Sequence, residues 1–402
     1  MSTVDVTDPV RYNPYDYAVH EDPYPFYARL RAEAPLYRND ELEFWALSRH
    51  ADVAAAFRDS TRFSSAEGVS LDKAASGPHA HKTMSFLAMD PPRHTRMRAL
   101  VARGFTPRRV VDLEPRIREI AVEYLDAARD IDDFDIIRDF AGRLPMDVIS
   151  EMMGVPVEDR KELRRLADLL VHREEGVEDV PPSGVEAAIS LFGYYSDMIA
   201  ERRARPTDDL TSALLVAEID GDRLDDSDIV AFMFLMVVAG NETTTKLLGH
   251  ALHWAWRNPD QRDLVWSGER TIEQWVEETL RYDTSSQMLA RVTLTDVELH
   301  GQVIPRGDRV LLLAGSANRD PEVFDDPDAY RIGRDTSSIV SFGLGRHFCM
   351  GASLARLEAR VALEEWVRRY SGFELDPAGI KRVHSVNVRG FADLPCSLEW
   401  RS

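Results

Sequence analysis

The sequence predicts a mainly α-helical protein that carries small β-sheets. Apolar residues recur at helical spacing from Pro91 to about Arg203, with prolines as punctuation. A run from Asp225 or Ser227, both good N-caps, to the break at Pro259 reads as one helix of about 30 residues, or ~45 Å. Runs with strand composition are short and lie apart along the chain. The segments that predict sheets are residues 35–49, 290–313 and 371–400.

The composition is that of a globular protein with a sizeable core. The chain has 402 residues, of which 44% are hydrophobic and 29% charged, and these proportions are typical of folded domains. The length alone would allow two or three domains, but no composition shift, repeat or low-complexity linker marks a boundary. We therefore predict one domain over residues 1–402, with helix-rich parts at about 91–282 and 341–370.

The N-terminal part alternates irregular chain with short elements. The opening prolines give way to a helix near residues 25–34, and LYRND followed by EFWALSRH predicts a small hairpin. Another helix is predicted at about Ala51 to Asp59. Residues 64–84 have loop composition, and so long a loop in a packed domain is expected to cover something. The expected lid segments are therefore residues 64–88 and 170–190.

The remaining elements lie on either side of the long helix. The acidic stretch at 173–184 is expected to connect two helices of the middle region. After Pro259 a helix is predicted at roughly 271–282, followed by β-rich chain and an irregular stretch from Asn318 to Ser341. A helix from about Gly351 to Tyr370 then precedes the final short strands.

Charge and cysteine content exclude several classes of protein. The formal net charge of −20 argues against a nucleic-acid binder, although the stretch from Arg93 to Arg109 holds six arginines and no acid. Two cysteines, Cys349 and Cys396, are too few for a disulfide framework and fit a reducing compartment. The N-terminus lacks a signal pattern, and the longest apolar run, Ile229 to Ala239, is shorter than the ~20 residues of a membrane helix. We expect a cytoplasmic protein without a membrane anchor.

The chemistry-bearing stretch is FGLGRHFCMG, from Phe342 to Gly351, which places Cys349 between glycine-rich turns and a helix start. Glycines permit the positive φ angles of a tight turn, and a helix N-terminus stabilises a thiolate. A lone cysteine in such a loop is most often an ordinary buried residue. The whole stretch, however, resembles the haem-binding loop of the cytochrome P450 family, whose cysteine thiolate is the axial iron ligand. The matching positions are Phe342, Gly343, Gly345, His347, Cys349 and Gly351.

The resemblance extends over nearly the whole chain. It implies a single triangular-prism domain with haem b between the long helix and the cysteine loop, and Cys349 as the iron ligand. ETLR, Glu278 to Arg281, resembles the family's ExxR element, whose side chains share a helix face and pair. Without that context, such spacing most often marks a surface ion pair. By position Arg334, rather than Arg331, is expected to complete the ion-pair network.

The segment MDPPRHTRMRALV resembles the entry to the family's C helix. His94 and Arg98, at i and i+4, present two donors on one side of this helix. The resemblance implies that they bind a haem propionate together with Arg291 and His347, because cationic groups suit carboxylates. Outside that context, each is equally well interpreted as a solvated charge. The residues expected to hold the haem are His94, Arg98, Ala239, Gly240, Arg291, Phe342, Gly343, His347 and Gly351.

The segment AGNETTTK, from Ala239 to Lys246, interrupts the apolar part of the long helix. Its glycine costs a helix about 1 kcal/mol and its threonines several tenths each, and an isolated threonine run usually bonds carbonyls one turn back. AGNETT resembles the family's oxygen-binding motif, which implies that Ala239 and Gly240 leave room for dioxygen. Glu242 and Thr243 then match the acid and the alcohol that deliver protons. The segment's other residues, Asn241, Thr244, Thr245 and Lys246, receive no role.

The arginine-rich stretch is expected to bind a redox partner. A solvated face is the default interpretation, but in the family this side of the haem receives an acidic ferredoxin or flavodoxin, and complementary charge speeds the encounter. DNA binding is the weaker alternative. A monomer is expected. The docking residues expected from the match are Arg93, Arg96, Arg103 and Arg346.

The family pattern also implies a substrate pocket, although Thr284 to Ser286 replace prolines common in relatives. The expected function is a haem-thiolate monooxygenase that takes electrons from separate partners and inserts one atom of O2, usually by hydroxylation, into a lipophilic small molecule. One alternative is a peroxide-driven enzyme of the same fold, which loss of the acid-alcohol pair would favour. The other is a non-enzymatic gas or ligand sensor. The expected pocket residues are Leu235, Val238, Ala239, Gln287, Leu289 and Val388.

Overall fold

The structure, a computed structural model, describes residues 9–102, 107–219 and 221–401. Its α-helices are α1 (Tyr17–Glu21), α2 (Tyr24–Glu33), α3 (His50–Arg58), α4 (His81–Met84), α5 (Arg93–Ala102), α6 (Pro107–Asp112), α7 (Glu114–Ala127), α8 (Leu144–Met153), α9 (Val157–Val171), α10 (Pro182–Ala204), α11 (Leu210–Leu215), α12 (Asp226–Arg257), α13 (Pro259–Trp266), α14 (Ile272–Tyr282), α15 (Ala314–Ala317) and α16 (Ala352–Arg369). Short 3-10 helices span Lys73–Ala75, Ser85–Ala88, Ala128–Asp130 and Gly345–His347, and a π-helix spans Ile136–Ala141.

The strands form small sheets. They are β1 (Leu36–Asn39), β2 (Phe44–Leu47), β3 (Phe63–Ser64), β4 (Glu218–Ile219), β5 (Asp222–Arg223), β6 (Leu289–Thr293), β7 (Val297–Leu299), β8 (Gln302–Ile304), β9 (Arg309–Leu312), β10 (Tyr370–Leu375), β11 (Lys381–Arg382), β12 (Phe391–Asp393) and β13 (Cys396–Trp400). One sheet has the order β1-β2-β9-β6-β3, with β2 and β9 parallel and its other pairs antiparallel. The other pairs are β4-β5, β7-β8, β10-β13 and β11-β12. The predicted mainly helical class with small sheets is confirmed.

The long helix α12 has 32 residues and organises the molecule. The Asp225 side chain accepts a hydrogen bond from the Asp228 backbone N–H at 2.8 Å, so of the two predicted caps Asp225 begins the helix. Pro259 follows the last turn and starts α13. The N-terminal half of α12 packs into a hydrophobic cluster with α8 and α10, and its C-terminal half packs into a second cluster with α14 and α16. AGNETTTK lies where the two clusters meet.

Two further helices position the chain around the middle of α12. Thr271 and Gln274 form a reciprocal capping box that begins α14, and the Trp275 indole N–H donates to the Ala251 carbonyl of α12 at 3.2 Å. The cysteine loop leads into α16, whose fully buried Trp366 anchors it in the core. The loop is thereby held against α12. Within the described ranges, no helix combines the length and the apolar character that a bilayer crossing requires.

Candidate functional site

A cavity of about 240 Å³ lies between the middle of α12 and the loop that leads into α16. Its wall is mainly apolar with a few polar groups, a composition typical of small-molecule sites. The wall also includes Thr284, Ser285 and Ser286, the residues that depart from the family pattern. Its apolar side chains include Phe86, Ile149, Phe232, Leu235, Met236, Leu247, Leu289 and Leu354.

The cysteine loop turns tightly before it reaches the cavity. Gly343 and Gly345 adopt φ angles of 66° and 70°, which other residues rarely tolerate. A Cβ atom on Gly345 would lie 3.0 Å from the Phe57 carbonyl oxygen, so this glycine also allows a close approach to α3. The backbone N–H of Cys349 donates to the Phe342 carbonyl at 2.9 Å, which closes the loop and sets the cysteine at the cavity wall.

The Cys349 side chain keeps surface open to the cavity. Desolvation by the surrounding chain raises the pKa of its thiol, whereas the backbone N–H of Gly351 and the guanidinium of Arg98 act in the opposite direction. A Cβ on Gly351 would lie 4.0 Å from the sulfur, in ordinary van der Waals contact with it. These groups favour the thiolate once a cation neutralises it.

A group of basic side chains adjoins the loop. The rings of His94 and His347 lie 4.1 Å apart between centroids, and both nitrogens of buried His94 lack a hydrogen-bond partner among the described residues. Arg291 is 2% exposed; its guanidinium donates to the Ala290 carbonyl and has no carboxylate within 4.0 Å in the described part of the chain. Arg98 donates to the Phe348 carbonyl at 2.6 Å.

Burial and neighbouring positive charges lower the pKa values of this group. Burial, then the charge of Arg98, lowers the pKa of His94 to about 4. Burial, then the charges of Arg291 and His94, lowers the pKa of His347 to about 3. Burial alone lowers the pKa of Arg291 to about 10. Buried donors and cations without acids suit an anionic ligand, so the residues present fit the haem propionates that the sequence resemblance implies.

The acid and the alcohol of α12 face different surroundings. The Thr243 side chain is half-buried, lines the cavity and donates to the Ala239 carbonyl one turn back at 2.8 Å. Glu242 is 1% exposed and does not line the cavity. Its carboxylate accepts from Asn241 Nδ2 at 3.2 Å and lies 3.3 Å from Lys246 Nζ. Asn241 and Lys246, which received no role from the sequence analysis, therefore hold Glu242 in place.

The ion-pair network has a fully buried pair, Glu278 and Arg281, and a less buried third member. The Arg281 guanidinium donates twice to the Glu278 carboxylate, at 2.8 and 2.9 Å, and both residues are 0% exposed. Arg334 Nε lies 3.3 Å from Glu278 Oε1. The Arg331 side chain instead pairs with Asp326 at the surface, and only its backbone N–H reaches Glu278. The structure therefore brings Arg334, and not the side chain of Arg331, to this network.

Some expected pocket residues lie outside the cavity. Leu235, Ala239 and Leu289 line it, but Val238, Gln287 and Val388 do not. The Gln287 amide turns to donate to the Thr284 carbonyl at 2.7 Å and packs against Gly315, and a second, smaller cavity includes Gln287 and Val388. Val388 faces Ser286 through an isolated β-bridge. The hydrogen bond of the Gln287 amide and the β-bridge of Val388 direct the two side chains away from the larger cavity.

Sequence reasoning missed an acidic residue of the cavity wall. Glu358 of α16 is 3% exposed, lines the cavity and has one carboxyl oxygen without a partner in the described part of the chain. Burial raises the pKa of Glu358 well above its ordinary value, which favours the neutral carboxyl group. The available signal was its position on one helical face with Leu354 and Ala355, which also line the cavity.

The arginine-rich stretch is only partly described. Arg93, Arg96 and Arg346 are exposed, and Arg93 lies 3.8 Å from Asp228. Arg103 lies outside the described residues. Of the exposed arginines, Arg346 belongs to the cysteine loop itself.

Comparisons with known proteins give a consistent result. A family profile described as Cytochrome P450 matches residues 271–384. The chain is 58% identical over 401 residues to "Putative cytochrome P450 123" of Mycobacterium tuberculosis, which covers 99% of this chain and 100% of that relative. It is 42% identical over 391 residues to "Vitamin D(3) 25-hydroxylase" of Pseudonocardia autotrophica, with 95% of each chain covered. The solved structure of cytochrome P450 CYP109Q5 from Chondromyces apiculatus matches with a TM-score of 0.87 and 36% identity over 98% of this chain and 99% of that one.

Proposed function

The chain belongs to the cytochrome P450 family, and we propose that Cys349, Glu242 and Thr243 carry its haem-dependent oxidation of a lipophilic small molecule. Members of the family are monooxygenases whose cofactor is a cysteine-ligated haem b. The P450 fold predicted from the sequence is confirmed by the structural match. When bound, the haem supplies the activation of dioxygen and the oxidation of the substrate.

The observation that carries the proposal is the shared cavity. Cys349 and the α12 residues Ala239, Gly240 and Thr243 line the same apolar space. Cys349 would hold the iron through its thiolate, supported by the N–H of Gly351. Ala239 and Gly240 contribute little side-chain volume to the wall and leave room for dioxygen.

The basic group beside the loop would hold the propionates. The group consists of His94, Arg98, Arg291 and His347. Its members carry a positive charge or ring nitrogens without a hydrogen-bond partner, and few carboxylates lie beside them. Insertion of two carboxylates would satisfy donors that are costly to leave buried and unpaired. The same charges fix the orientation of the cofactor relative to Cys349.

Glu242 and Thr243 would deliver protons during oxygen activation. The Thr243 hydroxyl can hold a water molecule at the cavity wall, and the adjacent carboxylate of Glu242 can supply that water with protons without flooding an apolar site. A peroxide-driven enzyme would need neither group, and a sensor would need no proton delivery. The presence of both residues, together with family membership, supports monooxygenation over these alternatives.

Replacing Thr243 with alanine is expected to uncouple electron consumption from product formation. The amount of product per electron pair should fall about tenfold or more, because positioned proton transfer typically contributes 10²–10⁴-fold, while substrate binding stays unchanged. Product and hydrogen peroxide are measured per equivalent of reductant. Thr245→Ala is the matched control, since Thr245 is buried but does not line the cavity. Equal coupling in wild type and Thr243→Ala would remove Thr243 from the mechanism.

The exposed arginines would receive an acidic ferredoxin or flavodoxin. Complementary charge raises association rates, and salt screens it. We expect Arg346→Glu to slow reduction several-fold at low salt, with the difference shrinking towards 0.5 M salt, a concentration chosen because the Debye length there is only about 4 Å. Stopped-flow reduction by the partner measures this, with Lys161→Glu on α9 as a charge-reversal control. A reduction rate of Arg346→Glu equal to wild type at every salt concentration would show that the patch is merely solvated.

The apolar wall supports a lipophilic substrate. We expect the oxidation to be a hydroxylation, the usual outcome of this cofactor chemistry. The relative named Vitamin D(3) 25-hydroxylase is consistent with this class of substrate. A spin-state screen would identify candidates, because a substrate that displaces water from the iron shifts the main absorption band of the haem.

A further inference from the structure

A serine outside the long helix forms a hydrogen bond to the backbone of Thr243. The Ser285 hydroxyl donates to the Thr243 carbonyl of α12 at 2.7 Å. Ser285 is 5% exposed, lies in the segment between α14 and β6, and lines the larger cavity together with Thr243. The prolines that relatives commonly have in this segment carry no hydroxyl group and could not form this bond. The contact is therefore a feature of this chain's own residues.

A buried ion pair holds Ser285 in place. The Ser285 carbonyl accepts from the backbone N–H of Arg389 at 2.8 Å, and the Arg389 guanidinium donates to the Asp283 carboxylate at 2.8 Å. The Asp283 side chain is fully buried and also accepts from the Trp254 indole N–H of α12 at 2.9 Å. The segment that carries Ser285 is thus tied to α12 at Trp254 as well as at Thr243, which restricts the movement of the serine hydroxyl.

The serine acts on one turn of α12. A carbonyl oxygen has two lone pairs, so the Thr243 carbonyl can accept from the serine in addition to a helical N–H. The Thr243 hydroxyl itself donates to the Ala239 carbonyl at 2.8 Å. A side chain that bonds to the backbone ladder of a helix tilts its peptide groups and can bend the helix there. The bond from Ser285 therefore influences where the Thr243 hydroxyl lies in the cavity wall.

We propose that Ser285 is a positioning residue for oxygen activation, which holds the Thr243 carbonyl so that the Thr243 hydroxyl keeps its place at the cavity wall. In this scheme the serine acts through Thr243 and forms no bond to substrate or haem. Functional groups must be held within about 0.5 Å of the productive geometry, and a misplacement of about 1 Å can lower a rate about 10²-fold. The inference rests on the proposed role of Thr243.

The test measures product per electron pair in the haem-loaded protein with its electron donor. The substrate is the compound that gives the largest shift in the spin-state screen. We expect Ser285→Ala to lower this coupling several-fold, by less than Thr243→Ala does, while the affinity for the compound stays unchanged. The double variant should couple no worse than Thr243→Ala alone, because the effects of residues that act as a unit are not additive.

Ser196→Ala is the matched control. It removes a hydroxyl bond of the same length, 2.7 Å, to the Phe192 carbonyl of α10. Ser196 is exposed and does not line the cavity, so the variant should couple like wild type.

Carbon monoxide gives a readout that does not depend on turnover. The infrared C–O stretch of the reduced protein with bound carbon monoxide responds to the cavity wall around the ligand. We expect this band to shift or broaden in Ser285→Ala, because loss of the bond lets the turn around Thr243 relax. The band of Ser196→Ala should match that of wild type.

The outcomes separate the inference from the proposed function. If Ser285→Ala keeps wild-type coupling while Thr243→Ala uncouples, the inference is overturned and the proposed function stands. If Thr243→Ala keeps wild-type coupling, the proposed role of Thr243 and the inference both fail. If the losses of the two single variants multiply in the double variant, or if the infrared band of Ser285→Ala is unchanged, the serine acts independently of Thr243 and the inference is overturned.

Discussion

Substitution of Cys349 by serine is expected to abolish monooxygenation. Serine keeps the size of the side chain but offers no thiolate, so the iron loses its anionic sulfur ligand. The loss should exceed the roughly 10–100-fold that removal of a mere supporting contact costs a metal site. Product formation and haem content are measured on the purified protein. The fold should persist, because the Cys349 side chain lines the cavity and is not part of the packed core.

The second cysteine provides the matched control. Cys396 lies in β13, remote from the cavity wall, and its sulfur donates to the Ser397 carbonyl. Cys396→Ser should retain turnover and haem. Equal activity of Cys349→Ser and Cys396→Ser would contradict the assignment of the ligand.

Substitution of Arg281 by methionine is expected to cause the largest loss of stability. It removes the two hydrogen bonds that Arg281 donates to the fully buried Glu278 carboxylate. It also removes a donor from the carbonyls of Asn318, Pro327 and Ala329, the last of which still accepts from Arg334. Breaking a buried ion pair from one side costs about 3–5 kcal/mol. The free energy of unfolding is measured by urea denaturation.

Arg331→Met serves as the control for this effect. The Arg331 side chain is half exposed and pairs with Asp326 at the surface, so its loss should cost at most about 1 kcal/mol. The Arg331 backbone N–H still reaches Glu278 in the variant. If Arg281→Met lowers the free energy of unfolding no more than Arg331→Met does, the network contributes geometry and not stability.

The sequence anticipated the elements whose causes are local. The long helix begins after the Asp225 cap and ends at Arg257, with Asn258 as its C-cap before Pro259, because capping groups and proline act within a few residues. The helix predicted at 271–282 appears as Ile272–Tyr282, which a capping box begins, and the one predicted at 351–370 appears as Ala352–Arg369. The cysteine loop was recognisable because its glycines and its cysteine all lie within ten consecutive residues, from Phe342 to Gly351.

The sequence could not anticipate contacts that join distant elements. Lys246 finds its second partner in the carbonyl of Phe391. Nothing in the local pattern around Lys246 requires this contact, because it depends on how β12 packs against α12. Gln287 was placed in the pocket by position alone, but a local hydrogen bond to the Thr284 carbonyl turns its amide elsewhere. Glu358 is one of three acids in α16, and its local sequence does not distinguish it from the other two.

The most direct test of the central claim is the absorption spectrum of the reduced protein with bound carbon monoxide. We expect the wild-type protein to show the red-shifted band typical of thiolate-ligated haem, and we expect Cys349→Ser to lose this band while Cys396→Ser keeps it. A wild-type band at the position typical of a histidine or another neutral ligand, or an unchanged band in Cys349→Ser, would exclude Cys349 as the iron ligand.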